Sequence, residues 1–418
     1  MAVTEELVDT VGEAYLRDGT DSDAVDEVVP THIAAPESVE QVSALMTIAS
    51  SNGLHVVPRG GGTGLGLGNR PREVDLMIDL SRMNRLIEHS AGDLVAAMDA
   101  GARLADVQPQ LAAAGQLLAL DGYADGTTIG GVIATNTSGP RRFRYGTVRD
   151  LLIGVTIVLP DGTIAKAGGK VVKNVAGYDL CKLMTGSLGT LAIIVKAIFR
   201  LHPRPTARRL VIAEVDSPEA LLSVVQRTVH SPLVPTAIQL AWPSGGQGRV
   251  GILLESIEPS VVAQAETAAS TLGVIASTET FADGQVDDAW TAFEEGQSAE
   301  SVEVKVTCLP TALGETVAAV RRAADAHGGD YRLSGEVGTG IIRLHLTDPD
   351  SDRLATLVQT LRATDSPGNV TVPRAPTAVK HDLDVWGPVG DTEDLMRRIK
   401  HRFDPDSILN PGRFVGGI

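Results

Sequence analysis

Pro58-Arg59-Gly60-Gly61-Gly62-Thr63-Gly64-Leu65-Gly66-Leu67-Gly68 directly follows the short apolar run Leu54-His55-Val56-Val57. Consecutive residues without Cβ reach φ > 0 and let backbone N–H groups converge on an anion, so a phosphate or pyrophosphate is the natural ligand of such a loop. Two phosphate-loop spacings fail here. No register between Gly60 and Gly68 gives G-x-G-x-x-G, and Asn69-Arg70 follows where a P-loop needs Lys-Ser or Lys-Thr. Strand-like runs at 54–57 and 74–80 bracket the loop and argue against a flexible linker.

Composition places the rest of the chain. The 418 residues, 43% hydrophobic and 21% charged, suit a globular protein of two or three domains. No apolar run approaches the roughly 20 residues of a membrane span, and the acidic start is unlike a signal peptide, so a cytoplasmic location is expected. Cys181 and Cys308 are too few for an iron–sulfur ligand set, which puts any cluster on another chain. A net charge of −16 argues against nucleic acid as a partner. Arg141-Arg142-Phe143-Arg144 is the local exception and reads as a partner-facing or solvated patch.

Along the chain, residues 1–30 read as an acidic N-terminal extension. Val39, Val42, Leu45, Met46 and Ala49 recur at helical spacing between a Ser38 cap and a Gly53 stop. Strands are expected over 94–100 and 191–201, a helix over 102–114, and a hairpin at Asp161-Gly162. Residues 121–139 read as a second glycine- and hydroxyl-rich loop. Pro203 and Pro205 mark a boundary, after which strands and helices alternate as two related β-α-β units. Prolines 373 and 376 mark a linker before a C-terminal helix over 392–401.

Several motifs in order carry a resemblance: Pro58 to Thr63, Thr128-Ile129-Gly130-Gly131, Tyr145-Gly146, 186–191 and Asn410-Pro411-Gly412-Arg413. Together they resemble the vanillyl-alcohol-oxidase, PCMH-type FAD flavoproteins. The run 169–180 and the end 412–418 are similar to the FAD-binding E subunits of bacterial glycolate oxidases. The resemblance implies an α+β fold: an FAD-binding domain of two α+β subdomains at 31–206, an inserted α+β cap at 207–376, and a return segment at 377–418.

It also implies residue roles. Pro58, Arg59, Gly60, Gly61, Gly62, Thr63 and Gly64 would wrap the FAD pyrophosphate. Thr128, Gly130, Gly131, Thr135, Asn136 and Gly139 would follow the flavin and ribityl chain, with Tyr145 and Asn410 nearby and Ile193 toward the adenine. For Thr128 and Thr135 an ordinary turn hydroxyl bonded to its own backbone is an equal alternative. Arg413 and Lys173 are the cations that would stabilise a reduced flavin or a substrate carboxylate, with a surface salt bridge or C-terminal anchor as the alternative for each.

Departures from the family pattern sharpen the expectation. Members with covalent FAD have His where Thr63 stands, which implies a non-covalent cofactor. Metal-using relatives carry paired His in the cap, where this chain has Gly335-Glu336-Val337-Gly338, and its nine His are all at least 18 positions apart, so no metal is expected. The implied function is an FAD-binding subunit of a glycolate oxidase complex that turns a small 2-hydroxy acid into the oxo acid, beside a sister FAD subunit and an iron–sulfur subunit, with membrane association only through partners. A self-contained dehydrogenase of D-lactate type and a non-catalytic assembly subunit remain the alternatives.

Overall fold

The structure is a computed structural model describing residues 2–121, 124–170, 178–294, 302–347, 349–364 and 368–418. Its contacts divide the chain into two compact units. The first comprises Met1–Ser138, Gly146–Arg204 and Pro388–Ile418; the second comprises Gly139–Tyr145 and Pro205–Gly387.

The first unit is α+β and contains two principal sheets. In one, strand Leu76–Asp79 lies between His32–Ala34 and Val56–Arg59, parallel to both. Helix Val39–Asn52 begins where the Ser38 hydroxyl accepts from the Gln41 amide at 3.2 Å and ends at Gly53, φ 65°. Its Val42, Leu45, Met46 and Ala49 are fully buried, as the helical spacing requires. The other sheet runs in the order Leu86–Ser90, Val95–Asp99, Ile193–Arg200, Leu152–Val158, Ile164–Gly168, antiparallel throughout. Its last two strands are the expected hairpin, with Gly162 at φ 84° in the turn.

Two readings of this unit change. Residues 2–30 belong to the compact unit rather than to an extension before it: the one helix expected there, Ala2–Val11, buries Leu7, and Val25 is fully buried further on. The stretch 121–139 holds a helix, Ile129–Thr135, rather than loop alone. Two glycines and only three buried apolar residues give it a weak local signal, so the Thr128 cap and burial against neighbouring strands carry it.

The second unit is built on an eight-stranded antiparallel sheet. From edge to edge its strands are Thr278–Ala282, Ala207–Val215, Gly248–Ser256, Ala237–Pro243, Tyr331–Gly335, Ile341–Leu346, Val302–Thr307 and Asn369–Arg374. Each half is β-α-β-β-α-β in chain order, and the halves join through Ala237–Pro243 against Tyr331–Gly335. The expected helices over 218–229, 261–272, 313–327 and 354–361 all form, while the first round gains one strand beyond those expected and the second gains two. The additional strands 278–282, 331–335 and 369–374 are short and of mixed polarity, so ladder pairing more than sequence pattern establishes them. Pro373 belongs to the strand Asn369–Arg374 rather than to a linker, and that strand lies at the sheet edge, where a missing N–H costs least.

Candidate functional site

The glycine loop leaves strand Val56–Arg59 at the carboxyl end of the parallel sheet. Among the described residues, nothing accepts a hydrogen bond from the backbone amides of Gly60, Gly61, Gly62, Thr63 or Gly64. Five successive donors in a partly exposed loop are thereby left for a ligand or water, which suits an anion. The glycines also answer to the chain's own packing. A Cβ on Gly60 would stand 2.1 Å from the Thr128 hydroxyl, and one on Gly61 would stand 1.7 Å from the Gly126 carbonyl oxygen. The loop therefore packs directly on residues 126–128, and Gly62, at φ 79°, and Gly68, at φ 83°, are the glycines that their dihedrals require.

Both ends of the loop are braced by an arginine, through ion pairs at one end and backbone carbonyls at the other. At its start, Arg59 donates to Asp79 at 2.6 Å and to Asp23 at 2.8 Å. Asp23 is 5% exposed and also accepts from Arg17 and Thr20. The Arg17 guanidinium, with Arg59 and Thr20 adding to it, holds the Asp23 carboxyl well below the usual range. Arg59 thus has an anchoring role at the base of the loop. At the other end, Arg413 donates to the carbonyls of Leu65 at 2.5 Å and Leu67 at 2.8 Å, while its own carbonyl accepts from the Asn69 amide at 3.0 Å. Burial pulls the Arg413 guanidinium down to about 10 against the opposing charge of Asp26.

Asn410 links this clamp to a third stretch. Its side chain donates to the Leu188 carbonyl at 2.8 Å and accepts from Arg413 at 3.0 Å. Gly189 makes room for it, since a Cβ there would stand 2.8 Å from the Asn410 amide nitrogen. Pro58, a residue of the strand, is 3.0 Å from the same position.

Around the helix Ile129–Thr135 the hydroxyls are committed locally. Thr128 is its cap, accepting from the Gly131 amide at 3.3 Å, and Thr135 donates to the Gly131 carbonyl at 2.8 Å. Both hydroxyls thus make local turn bonds, and that of Thr128, as an acceptor, keeps its O–H. Gly130 lets the helix approach strand Val95–Asp99 and the residue after it, its Cβ position being 2.9 Å from that of Ala100. Asn136 ends the helix in the left-handed region, at φ 51°. Ile193 is 1% exposed at the start of a central strand. Thr63 lies 3.5 Å from Thr127, hydroxyl to hydroxyl, with no imidazole at its position.

Gly139 and Tyr145 belong to the second unit, and Lys173 lies outside the described residues. Within the arginine run, Arg141 pairs with Glu255, itself 3% exposed, while the exposed Arg144 donates to the Glu255 carbonyl at 3.0 Å. Asp23 and Asp79 were absent from the candidates. Their only local signal is the capping-box spacing Thr20 to Asp23 and the position of Asp79 at a strand end. In the first unit His55, Glu73 and Asp75 approach one another, but the His55 ring already shares its Nδ1 with both carboxylates, at 3.1 and 3.0 Å.

Residues 30–168 match the FAD binding domain family, and residues 389–414 match the C-terminal domain of FAD linked oxidases. A D-lactate dehydrogenase of Archaeoglobus fulgidus is 30% identical over 417 residues, 92% of this chain and 91% of that protein. The glycolate oxidase subunit GlcD of Bacillus subtilis is 34% identical over 212 residues, 50% of this chain and 45% of that one. Among solved structures, p-cresol methylhydroxylase with substrate bound superposes with a TM-score of 0.78 at 16% identity, covering 99% of this chain and 96% of that one, a likeness of fold.

Proposed function

Because the chain belongs to the FAD-linked oxidase family and is an FAD-dependent oxidoreductase, we propose that its substrate is a small 2-hydroxy acid and that it serves as the FAD-binding subunit of a glycolate-oxidising complex. The observation that carries the FAD assignment to particular residues is the set of five amides from Gly60 to Gly64 without an acceptor among the described residues, held between the Arg59 and Arg413 braces. A pyrophosphate needs such donors, so the residues present fit the cofactor.

In this reading Gly60 to Gly64 hold the pyrophosphate, and Arg59 and Arg413 fix the shape of the loop that does so. Thr128, Gly130, Gly131, Thr135 and Asn136 form the wall along the rest of the cofactor. Bound FAD supplies the acceptor for the hydride leaving the substrate's C–H bond. With Thr rather than His at position 63, the cofactor is held by these contacts and by no covalent link.

The substrate class comes from the relatives named D-lactate dehydrogenase and glycolate oxidase subunit. The place in a complex comes from the glycolate oxidase likeness and from the cysteines. Burial pushes the Cys181 thiol up to about 11 and raises that of Cys308, which suits packing roles rather than cluster ligation. A sister FAD subunit and an iron–sulfur subunit are the partners proposed. No helix among the described residues is long and apolar enough to cross a membrane, and a cytoplasmic location is proposed with it.

A second reading has a specific observation in its favour. The D-lactate dehydrogenase relative aligns over 92% of the chain, whereas the glycolate oxidase subunit aligns over 50%. A self-contained dehydrogenase would reduce a dye with glycolate or D-lactate at full rate by itself. The test compares the isolated chain with a preparation containing its native partners at equal flavin content. Faster dye reduction by the complex supports the subunit reading, and equal rates overturn it in favour of the self-contained enzyme.

A further inference from the structure

His55, Glu73 and Asp75 meet at the end of the parallel sheet opposite to the glycine loop. His55 stands immediately before strand Val56–Arg59 and Asp75 immediately before strand Leu76–Asp79, and Val56 pairs with Leu76 in the ladder. Each strand thus has one residue of this trio at its amino end and one residue of the Arg59–Asp79 ion pair at its carboxyl end. Backbone bonds fix the amino ends. The amides of Asp75 and Leu76 donate to the His55 carbonyl at 2.9 and 3.0 Å, and the Asp75 carbonyl accepts from the His32 amide at 2.9 Å. Val74 is buried between Glu73 and Asp75, which both reach the surface.

The trio has more acceptors than its ring proton can serve. Nδ1 of His55 lies 3.1 Å from Glu73 Oε2 and 3.0 Å from Asp75 Oδ2, so one ring nitrogen faces two carboxylates. A ring N–H is directional and serves one acceptor well, and the Asp75 oxygen already takes the His55 amide at 2.8 Å. Among the described residues neither Glu73 nor Asp75 pairs with any other cationic side chain. Two negative charges therefore converge on a ring that brings at most one positive charge.

A divalent cation in place of the ring proton satisfies all three groups at once. The donors are one imidazole nitrogen and two carboxylate oxygens within 4.8 Å of one another, a set that suits zinc. Tetrahedral zinc with bonds of about 2.1 Å holds its ligand atoms roughly 3.4 Å apart, close to the two separations the ring already has. Glu73, with 66% of its side chain exposed, is the ligand free to close, since His55 and Asp75 are held by the sheet. The spacing of histidines in the sequence misses this set because two of its three ligands are carboxylates.

We propose that His55, Glu73 and Asp75 form a site for a zinc-class divalent metal, with water on its open side, that clamps the amino ends of the two strands bearing Arg59 and Asp79. The site lies wholly in the first unit and is independent of the substrate and partner readings above.

The test is calorimetric titration of the full-length, FAD-loaded chain with zinc chloride after dialysis against EDTA. One equivalent should bind per chain. His55→Gln and Asp75→Asn are each expected to weaken zinc binding at least about tenfold, the lower bound for disturbing a metal ligand's support. His401→Gln, which removes an exposed His elsewhere, should change nothing. Zinc should raise the thermal unfolding midpoint of the parent and of His401→Gln, and leave that of His55→Gln where it was. Equimolar magnesium should not displace zinc, because an imidazole ligand favours the softer ion. Undiminished zinc binding by a His55→Gln variant that retains flavin and far-ultraviolet dichroism overturns the site. Displacement by magnesium overturns the zinc-class assignment, and an unmoved midpoint in the zinc-bound parent overturns the clamp. Every readout is separate from turnover, so a chain that oxidises neither glycolate nor D-lactate loses the substrate reading and keeps this site.

Discussion

Arg59 and Asp23 are 36 positions apart in sequence, and their side chains meet at 2.8 Å beneath the glycine loop. The contact ties the N-terminal segment to the base of the proposed pyrophosphate site. A segment that looks like an appendage in the sequence thereby becomes part of the loop's support.

Asp23→Asn should lower stability by about 1.5–3 kcal/mol and weaken flavin retention, because it removes the charge shared by Arg17 and Arg59. The pH dependence has a definite sign. A carboxyl held below its unfolded value contributes fully above the unfolded pKa, about 3.9, and loses that contribution as pH falls toward the folded value. The parent should therefore lose stability on acidification below about pH 4 more steeply than Asp23→Asn, as acid titrations of flavin fluorescence would show. Parallel curves would count against the brace.

Gly61→Ala should disrupt the loop through its own backbone. The added Cβ would stand 1.7 Å from the Gly126 carbonyl oxygen, whereas a Cβ at Gly66 would meet nothing within 4 Å. Gly61→Ala is expected to lose flavin on gel filtration, and Gly66→Ala to keep it. Substitution at Gly61 consequently reports on loop-to-loop packing as well as on ligand approach.

Arg413→Met should loosen the far end of the loop, since the carbonyls of Leu65 and Leu67 would lose their donor. The expected result is weaker FAD affinity, read by flavin fluorescence on dilution. Arg413→Lys should restore less than half of the lost binding free energy, because an ammonium lacks the fork that also reaches Asn410.

Lys400→Met should lower the denaturation midpoint strongly, by about 3–5 kcal/mol in stability, since it breaks a buried ion pair with Asp404. The same ammonium donates to the carbonyls of Thr190 at 2.8 Å and Leu409 at 2.9 Å, so the variant leaves three acceptors without it. Urea denaturation of the FAD-loaded chain measures the effect, and a change under about 1 kcal/mol would refute the assignment.

Acid precipitation should release the flavin into the supernatant, because position 63 offers a hydroxyl in place of an imidazole nitrogen. Flavin in the protein pellet would require a covalent link and would remove this reading of Thr63.

The sequence by itself determined the elements whose signals are local. Ser38 and Gly53 bound a helix because a cap hydroxyl and a left-handed stop act within one turn, and Asp161-Gly162 turns a hairpin for the same kind of reason. The glycine loop likewise announced an anion site, because backbone approach to an anion requires residues without side chains, and the resemblance carried by its motif partners implied that the anion belongs to a flavin. Only the tertiary structure decided which charges meet. Arg59 with Asp23, Arg413 with the Leu65 and Leu67 carbonyls, and Arg343 with Glu303 and Glu336 join positions as close as 7 and as distant as 348 residues apart. Long-range ion pairs leave no periodicity in the chain, since each partner alone looks like any solvated charge. The cap bond that the Thr128 hydroxyl accepts from the Gly131 amide is, by contrast, a local contact within one turn.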